Sequence, residues 1–219
     1  MNHLIDKQTI NIPLGAVELN GDLSVPDQAH ALVIFAHGSG SSRLSPRNQQ
    51  VAAYLNQQGI ATLLFDLLTK EEDLNYVNRF NLDLLAQRLE DVTTWIYGQE
   101  KFRGMRIGYF GASTGAAAAL MAARDIHKVS CIVSRGGRPD LAMKDLQFIK
   151  IPVLLIVGEK DREVLKLNEE ALENLKGEKM LEIIPGATHL FEEKGAIEKV
   201  CVVASNWFRF HMQPLELFN

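Results

Sequence analysis

The sequence predicts an α/β fold, with one mostly parallel sheet of about seven or eight strands covered by helices on both faces. Three observations carry that expectation. Short β-branched runs alternate with longer helical stretches along the chain. Most of the later runs are apolar nearly throughout, as strands covered on both faces must be. The totals are those of a globular chain: 219 residues, 47% hydrophobic and 23% charged. With no internal repeat, low-complexity tract or linker, residues 1–219 read as a single domain.

The elements follow in order. TINIPLG and AVELNGDLSV, within 9–25, read as an antiparallel opening pair, and ALVIFAHG (31–38) as the next strand. Ser45-Pro46 supplies an N-cap and a proline at the first helical position, so a helix is expected over 46–58. ATLLFDL (61–67) is a strand; the helix expected over 78–97 carries Leu82, Leu85, Leu89, Val92 and Ile96 on one face. RIGYFGA (106–112) runs directly into an alanine-rich helix over 113–124. VSCIVSRGG (129–137), PVLLIVGE (152–159) and KMLEIIPG (179–186) complete the strands, with helices over 163–175 and 191–211. Only a short helix fits between Arg135 and Pro152. No lid domain is therefore expected, and the pocket should be shallow or open.

Composition narrows the function. A net charge of −4 gives no general attraction to polyanions, so nucleic acid is not expected as a partner. The start MNHLIDKQTI has no basic segment followed by an apolar one, and runs such as IPVLLIVG are too short to span a bilayer. A cytoplasmic protein without a membrane partner is the expectation. Cys131 and Cys201 read as small buried hydrophobes rather than a disulfide or metal pair.

Open α/β sheets bind ligands at the carboxyl ends of their strands. There, Gly111-Ala112-Ser113-Thr114-Gly115 matches G-x-S-x-G, the strand-to-helix elbow that lifts a serine hydroxyl clear of the sheet edge. The turn is so tight that the positions two before and two after the serine cannot carry bulk. A serine needs a base held by an acid. His189 follows the last strand; His37 reads as a loop brace, and His211, at the end of the last helix, as solvated. His3, His30 and His127 are the remaining histidines. Asp161, after strand 152–159, is the favoured acid, with Glu159, Glu163 and Asp140 as competitors. Two amides complete the arrangement as an oxyanion hole: that of Thr114 and, from the Gly38–Gly40 loop, that of Ser39.

HGSG (37–40), GASTG (111–115), GEKD (158–161) and GATHLF (186–191) together resemble the dienelactone-hydrolase-like branch of the α/β-hydrolases, from about residue 17 onward. The resemblance implies Ser113 as nucleophile, Asp161 as acid, His189 as base, and hydrolysis of small esters or lactones. Dienelactone hydrolases proper carry a cysteine where this chain has Ser113, which favours a serine carboxylesterase. The look-alikes include small hydrolases sometimes joined to a phosphoribosyltransferase domain, which these residues do not supply.

The expected reaction is acyl transfer through Ser113, with no metal or organic cofactor. Activity should fall as acid protonates the base. Arg43, Arg47 and Arg135, with Arg138 near them, are candidates to hold a substrate carboxylate, though bracing loops or pairing with Asp140 and other carboxylates is the more ordinary role; Asp66 reads as another brace. A lactonase or thioesterase would use the same machinery. A catalytically silent binding protein is the rival outside enzymes, and a nucleotide-binding reading lacks a phosphate loop. The sequence leaves monomer or homodimer open.

Overall fold

The computed structural model describes residues 4–125 and 128–214. His3 and His127 lie outside them. Strands β1 (Ile5–Leu14) and β2 (Val17–Pro26) form the expected antiparallel pair, in register from Ile5 opposite Pro26 to Leu14 opposite Val17. Gly15 turns the hairpin at φ +71°, the left-handed conformation that a two-residue connection requires. The other strands are β3 (Ala31–Ala36), β4 (Ala61–Phe65), β5 (Arg106–Ala112), β6 (Val129–Arg135), β7 (Val153–Gly158) and β8 (Lys179–Ile184). They make one eight-stranded sheet in the order β1-β2-β4-β3-β5-β6-β7-β8, parallel from β4 to β8.

That order fixes where a ligand can enter. From β3 the chain steps outward to β4, then returns to β5 on the other side. The carboxyl ends of β3 and β5 thus border the crevice at the reversal point.

Helices cover both faces: α1 (Pro46–Gln57), α2 (Lys70–Asp73), α3 (Leu82–Gly98), α4 (Thr114–Asp125), α5 (Arg162–Asn174) and α6 (Ala196–His211). Alternate residues of β3 show the division. Leu32 and Ile34 join the core formed with α3, α4 and α5, whereas Val33 and Phe35 join that formed with α1 and α6. Residues of β3 to β7 are therefore nearly all dry, which explains their unbroken apolar runs, whereas the edge strands β1 and β8 keep exposed residues.

Three details differ from expectation. The last helix starts at Ala196 rather than 191, because Phe191 (φ +55°) and Gly195 (φ +81°) are left-handed and break the helical path. The long helix after β4 starts at Leu82, preceded by a separate 3-10 turn at Tyr76–Phe80 and by α2. Two 3-10 turns, Pro139–Ala142 and Leu146–Phe148, replace the short helix between β6 and β7, and no lid domain enters there. Among the described residues no helix is long and apolar enough to cross a membrane.

Candidate active site

β5 ends at Ala112 and α4 begins at Thr114, so Ser113 alone makes the corner, at φ +52°. A left-handed serine is strained, and persists only where the surroundings fix it. They do so from both sides. The Ser113 N–H donates to the Arg135 carbonyl (3.3 Å), and its own carbonyl accepts from the N–H groups of Ala116 (3.1 Å) and Arg138 (3.2 Å). A Cβ on Gly115 would collide with the carbonyl oxygens of Ala36 and His37, and one on Gly111 with the Ala116 backbone. The two glycines let strand and helix approach this closely. Side chains of Ala116, Ala117, Ala118 and Ala119 are fully buried, so α4 lies flush against the sheet. Its first N–H groups, without intrahelical acceptors, face the serine's corner and favour negative charge there.

His189 and Asp161 are brought together by stitching between two loops. The N–H of Glu159 donates to the Ile184 carbonyl (3.0 Å) and that of Lys160 to the Ala187 carbonyl (2.9 Å). The Glu159 carboxylate, a sequence-level rival for the acid, accepts the Gly186 N–H at 2.7 Å. Held this way, His189 Nδ1 lies 2.6 Å from Asp161 Oδ2, with the carboxylate side chain 14% exposed and the imidazole 38% exposed. Asp140 is instead gripped by Arg138 through paired bonds of 2.8 Å each. Gly136 backs the imidazole: a Cβ there would lie 3.4 Å from His189 Cε1. Asn168, buried in α5, donates to the Gly137 carbonyl (3.0 Å) and anchors the same segment.

The Gly38–Gly40 loop closes the third side. A Cβ on Gly38 would stand 3.1 Å from Ser113 Cβ. His37 braces the loop, as expected: its Nε2 accepts the Leu67 N–H (3.1 Å), which leaves the proton on Nδ1 to donate to the Gly38 carbonyl (3.0 Å). Burial pushes the His37 pKa down, against the opposing pull of the Gly38 carbonyl and the carboxylates of Asp66 and Asp73. The Ser39 N–H, expected to point at substrate, donates to the Thr114 hydroxyl at 2.7 Å.

The arginines divide. Arg43 is a brace, not a free guanidinium: it hydrogen-bonds Asp66 through Nη1 (2.6 Å) and its backbone N–H (2.9 Å), and its charge pairs with Asp22, whose Oδ2 lies 3.2 Å from Nε. Arg47 pairs with Glu192 at 3.1 Å. Arg135 has no carboxylate partner among the described residues. It donates to Asn48 Oδ1 (3.3 Å) and stacks on Phe191, and burial, with Arg47 nearby, pushes its pKa down to about 10. His211 departs from the solvated position expected for it: its side chain is 8% exposed, against Trp207 and 3.6 Å from Glu178.

Both cysteines are buried, and burial raises their thiol pKa values, so neither offers a ready thiolate. A hollow of about 140 Å³, lined by residues including His37, Ser42, Asp66 and Thr69, adjoins the Gly38–Gly40 loop. Larger cavities, of about 430, 490 and 420 Å³, lie between α1 and the β1–β2 hairpin, beside the end of α6, and between β8 and α6, away from this chemistry.

Known proteins share this fold. A family described as an alpha/beta hydrolase domain matches residues 29–200. The crystal structure of a dienelactone hydrolase from Anabaena variabilis superimposes with a TM-score of 0.94 at 49% identity, over 96% of this chain and 100% of that one. The chain belongs to the dienelactone-hydrolase-like α/β hydrolases. Est1E from Butyrivibrio proteoclasticus (TM-score 0.79, 17% identity, 93% of this chain and 98% of that one) shares the fold. So does an esterase of Pyrococcus furiosus (0.76, 19%, 95% and 92%). A Mycobacterium tuberculosis protein named as a phosphoribosyl transferase is 50% identical over 206 residues, 94% of this chain and 46% of its own length. The chain thus spans just under half of the curated relatives it matches.

Two features of this hydrolase escaped the sequence. Asn168 sits in a helix pattern where an asparagine carries no signal of a buried role. Thr114 was legible as an amide donor, but its hydroxyl was not; a β-branched hydroxyl residue directly after the elbow serine was the available clue.

Proposed function

We propose that this hydrolase cleaves small carboxylic esters by way of an acyl-enzyme on Ser113. The observation that carries the reading is the 2.6 Å Asp161–His189 hydrogen bond at the strand edge where Ser113 is held left-handed. Ser113 attacks the ester carbonyl as His189 Nε2 accepts its proton, and Asp161 fixes the tautomer and stabilises the imidazolium. Donors at the start of α4 and around the Gly38–Gly40 loop hold the tetrahedral oxyanion. His189 then protonates the departing alcohol, and a water deprotonated by the same histidine releases the acid.

The connection from β6 to β7, which carries only two 3-10 turns, supports short, accessible substrates. The Anabaena relative's name makes a lactone the nearest alternative substrate, and a thioester would use the same groups. The mycobacterial relatives' transferase name bears on proteins of which this chain matches 46%, and the glycine-framed turn here frames a serine rather than a phosphate. A silent binding protein would have no use for a left-handed serine and a carboxylate-held histidine on one edge.

The test is a panel of esters, lactones and thioesters of varied acyl length and charge, run on wild type and Ser113→Ala. The reading expects short esters to be hydrolysed by wild type alone. Equal turnover by both proteins, or by neither, would refute it.

A further inference from the structure

The Ser39–Thr114 contact gives Thr114 a role that its backbone does not supply; the inference rests on Ser113 being the nucleophile. Thr114 is 5% exposed, and its Oγ1 accepts the Ser39 N–H at 2.7 Å. A hydroxyl also has a proton to give, and a buried one ordinarily finds an acceptor. Thr93, inside α3, gives its proton back to the Leu89 carbonyl four residues earlier, at 2.7 Å. Thr114 has no such outlet. It is the first residue of α4, and four residues earlier stands Phe110, within β5. Among the described residues its hydroxyl receives a hydrogen bond and gives none.

The neighbouring amide is equally committed. The Ser39 N–H, the donor that the loop would offer to substrate, is spent on Thr114 Oγ1. The loop that holds it lies against the nucleophile, because Gly38 packs on Ser113 Cβ.

We infer that the Thr114 hydroxyl is the second donor of the oxyanion hole. It accepts from the Ser39 N–H and gives its own proton, as a hydrogen bond, to the oxyanion that forms beside the Thr114 N–H. No bond to the residue is made or broken. The Ser39 amide polarises the hydroxyl and so strengthens the bond it gives. Because the oxyanion exists only after attack, the contribution belongs to the transition state rather than to substrate binding.

The experiment compares wild type with Thr114→Val, Thr114→Ala and Thr114→Ser on a short aryl ester, each checked for folding by circular dichroism. Removing the hydroxyl in the valine or alanine variant should lower kcat by about 10²–10³-fold and leave KM within about twofold. The serine variant, which keeps the hydroxyl, should stay within about tenfold of wild-type kcat. Should the valine variant fail to fold, the alanine variant carries the test, since it adds no methyl against the Ser39 amide. Hydroxyl-free variants with wild-type kcat, or a serine variant as impaired as alanine, would overturn the inference. Ser113→Ala separates the two levels. If it is inactive while the valine and alanine variants are not, the hydroxyl's role alone falls; if it is as active as wild type, the nucleophile assignment falls and takes this inference with it.

Discussion

Asp161 reaches His189 through one short hydrogen bond, and its charge matters as much as its shape. In Asp161→Asn the amide can turn its NH₂ toward Nδ1, which stabilises the tautomer with its proton on the nitrogen that should face the serine. We expect kcat to fall by about 10³–10⁴-fold with KM little changed, measured by steady-state kinetics on a short ester. Retention of more than about a tenth of wild-type kcat would contradict the acid's role. Four carboxylates fitted the sequence as this acid. What separates them is where their oxygens are already committed: Glu159 to the Gly186 N–H, Asp140 to Arg138, while Glu163 stands in the first turn of α5. Chain order ranks such residues by position along the sheet edge, but commitments between distant loops leave no local trace.

At the scale of elements, the elbow is a join of backbone against backbone. Gly115 faces the carbonyls of Ala36 and His37, and these belong to backbone that cannot yield as a side-chain tip would. Gly115→Ala must push α4 away from β3, and we expect a loss of about 3 kcal/mol or more in chemical denaturation. A loss under about 1 kcal/mol would mean that the approach is looser than described. This join was readable because it has a sequence cost, two glycines around one serine. The inner strands, β3 to β7, were readable because both their faces are dry. Other boundaries carried weaker signals. The helix expected from residue 191 starts five residues later at Ala196, and Phe191 is instead a left-handed plug in the core shared with α1. The excursion between β4 and α3 is held by local caps, Thr69 with Glu72, and by Arg79 on Asp73, in pieces too short for periodicity to reveal. Arg43 and Arg47 were in the right loops, but a sequence does not say which carboxylate reaches an arginine first.

For the whole molecule, the crossing of two cores at one sheet edge couples the site to global stability, and His37 is where the coupling titrates. Partly buried and neutral, it accepts the Leu67 N–H, a bond that protonation would abolish. In the unfolded chain a histidine takes up its proton near pH ~6.5, whereas the folded His37 resists until lower pH. The unfolded state therefore binds more protons in that window. Stability from this residue is complete above about pH 6.5 and is lost as pH falls toward the depressed folded value. His211, also pushed down by burial, acts in the same direction. Thermal melts should show a midpoint that drops on acidification, with a shallower slope in His37→Gln; parallel slopes in the two proteins would refute the coupling. The central claim is more local: one hydroxyl on that edge, and no other group, becomes covalently acylated. Its most direct measurement is mass spectrometry of the folded protein after treatment with a fluorophosphonate. The account predicts a single adduct mapped to Ser113, one that does not form when the protein is unfolded before treatment and forms far more slowly in His189→Ala. A folded protein that stays unlabelled, or carries the adduct elsewhere, would contradict it.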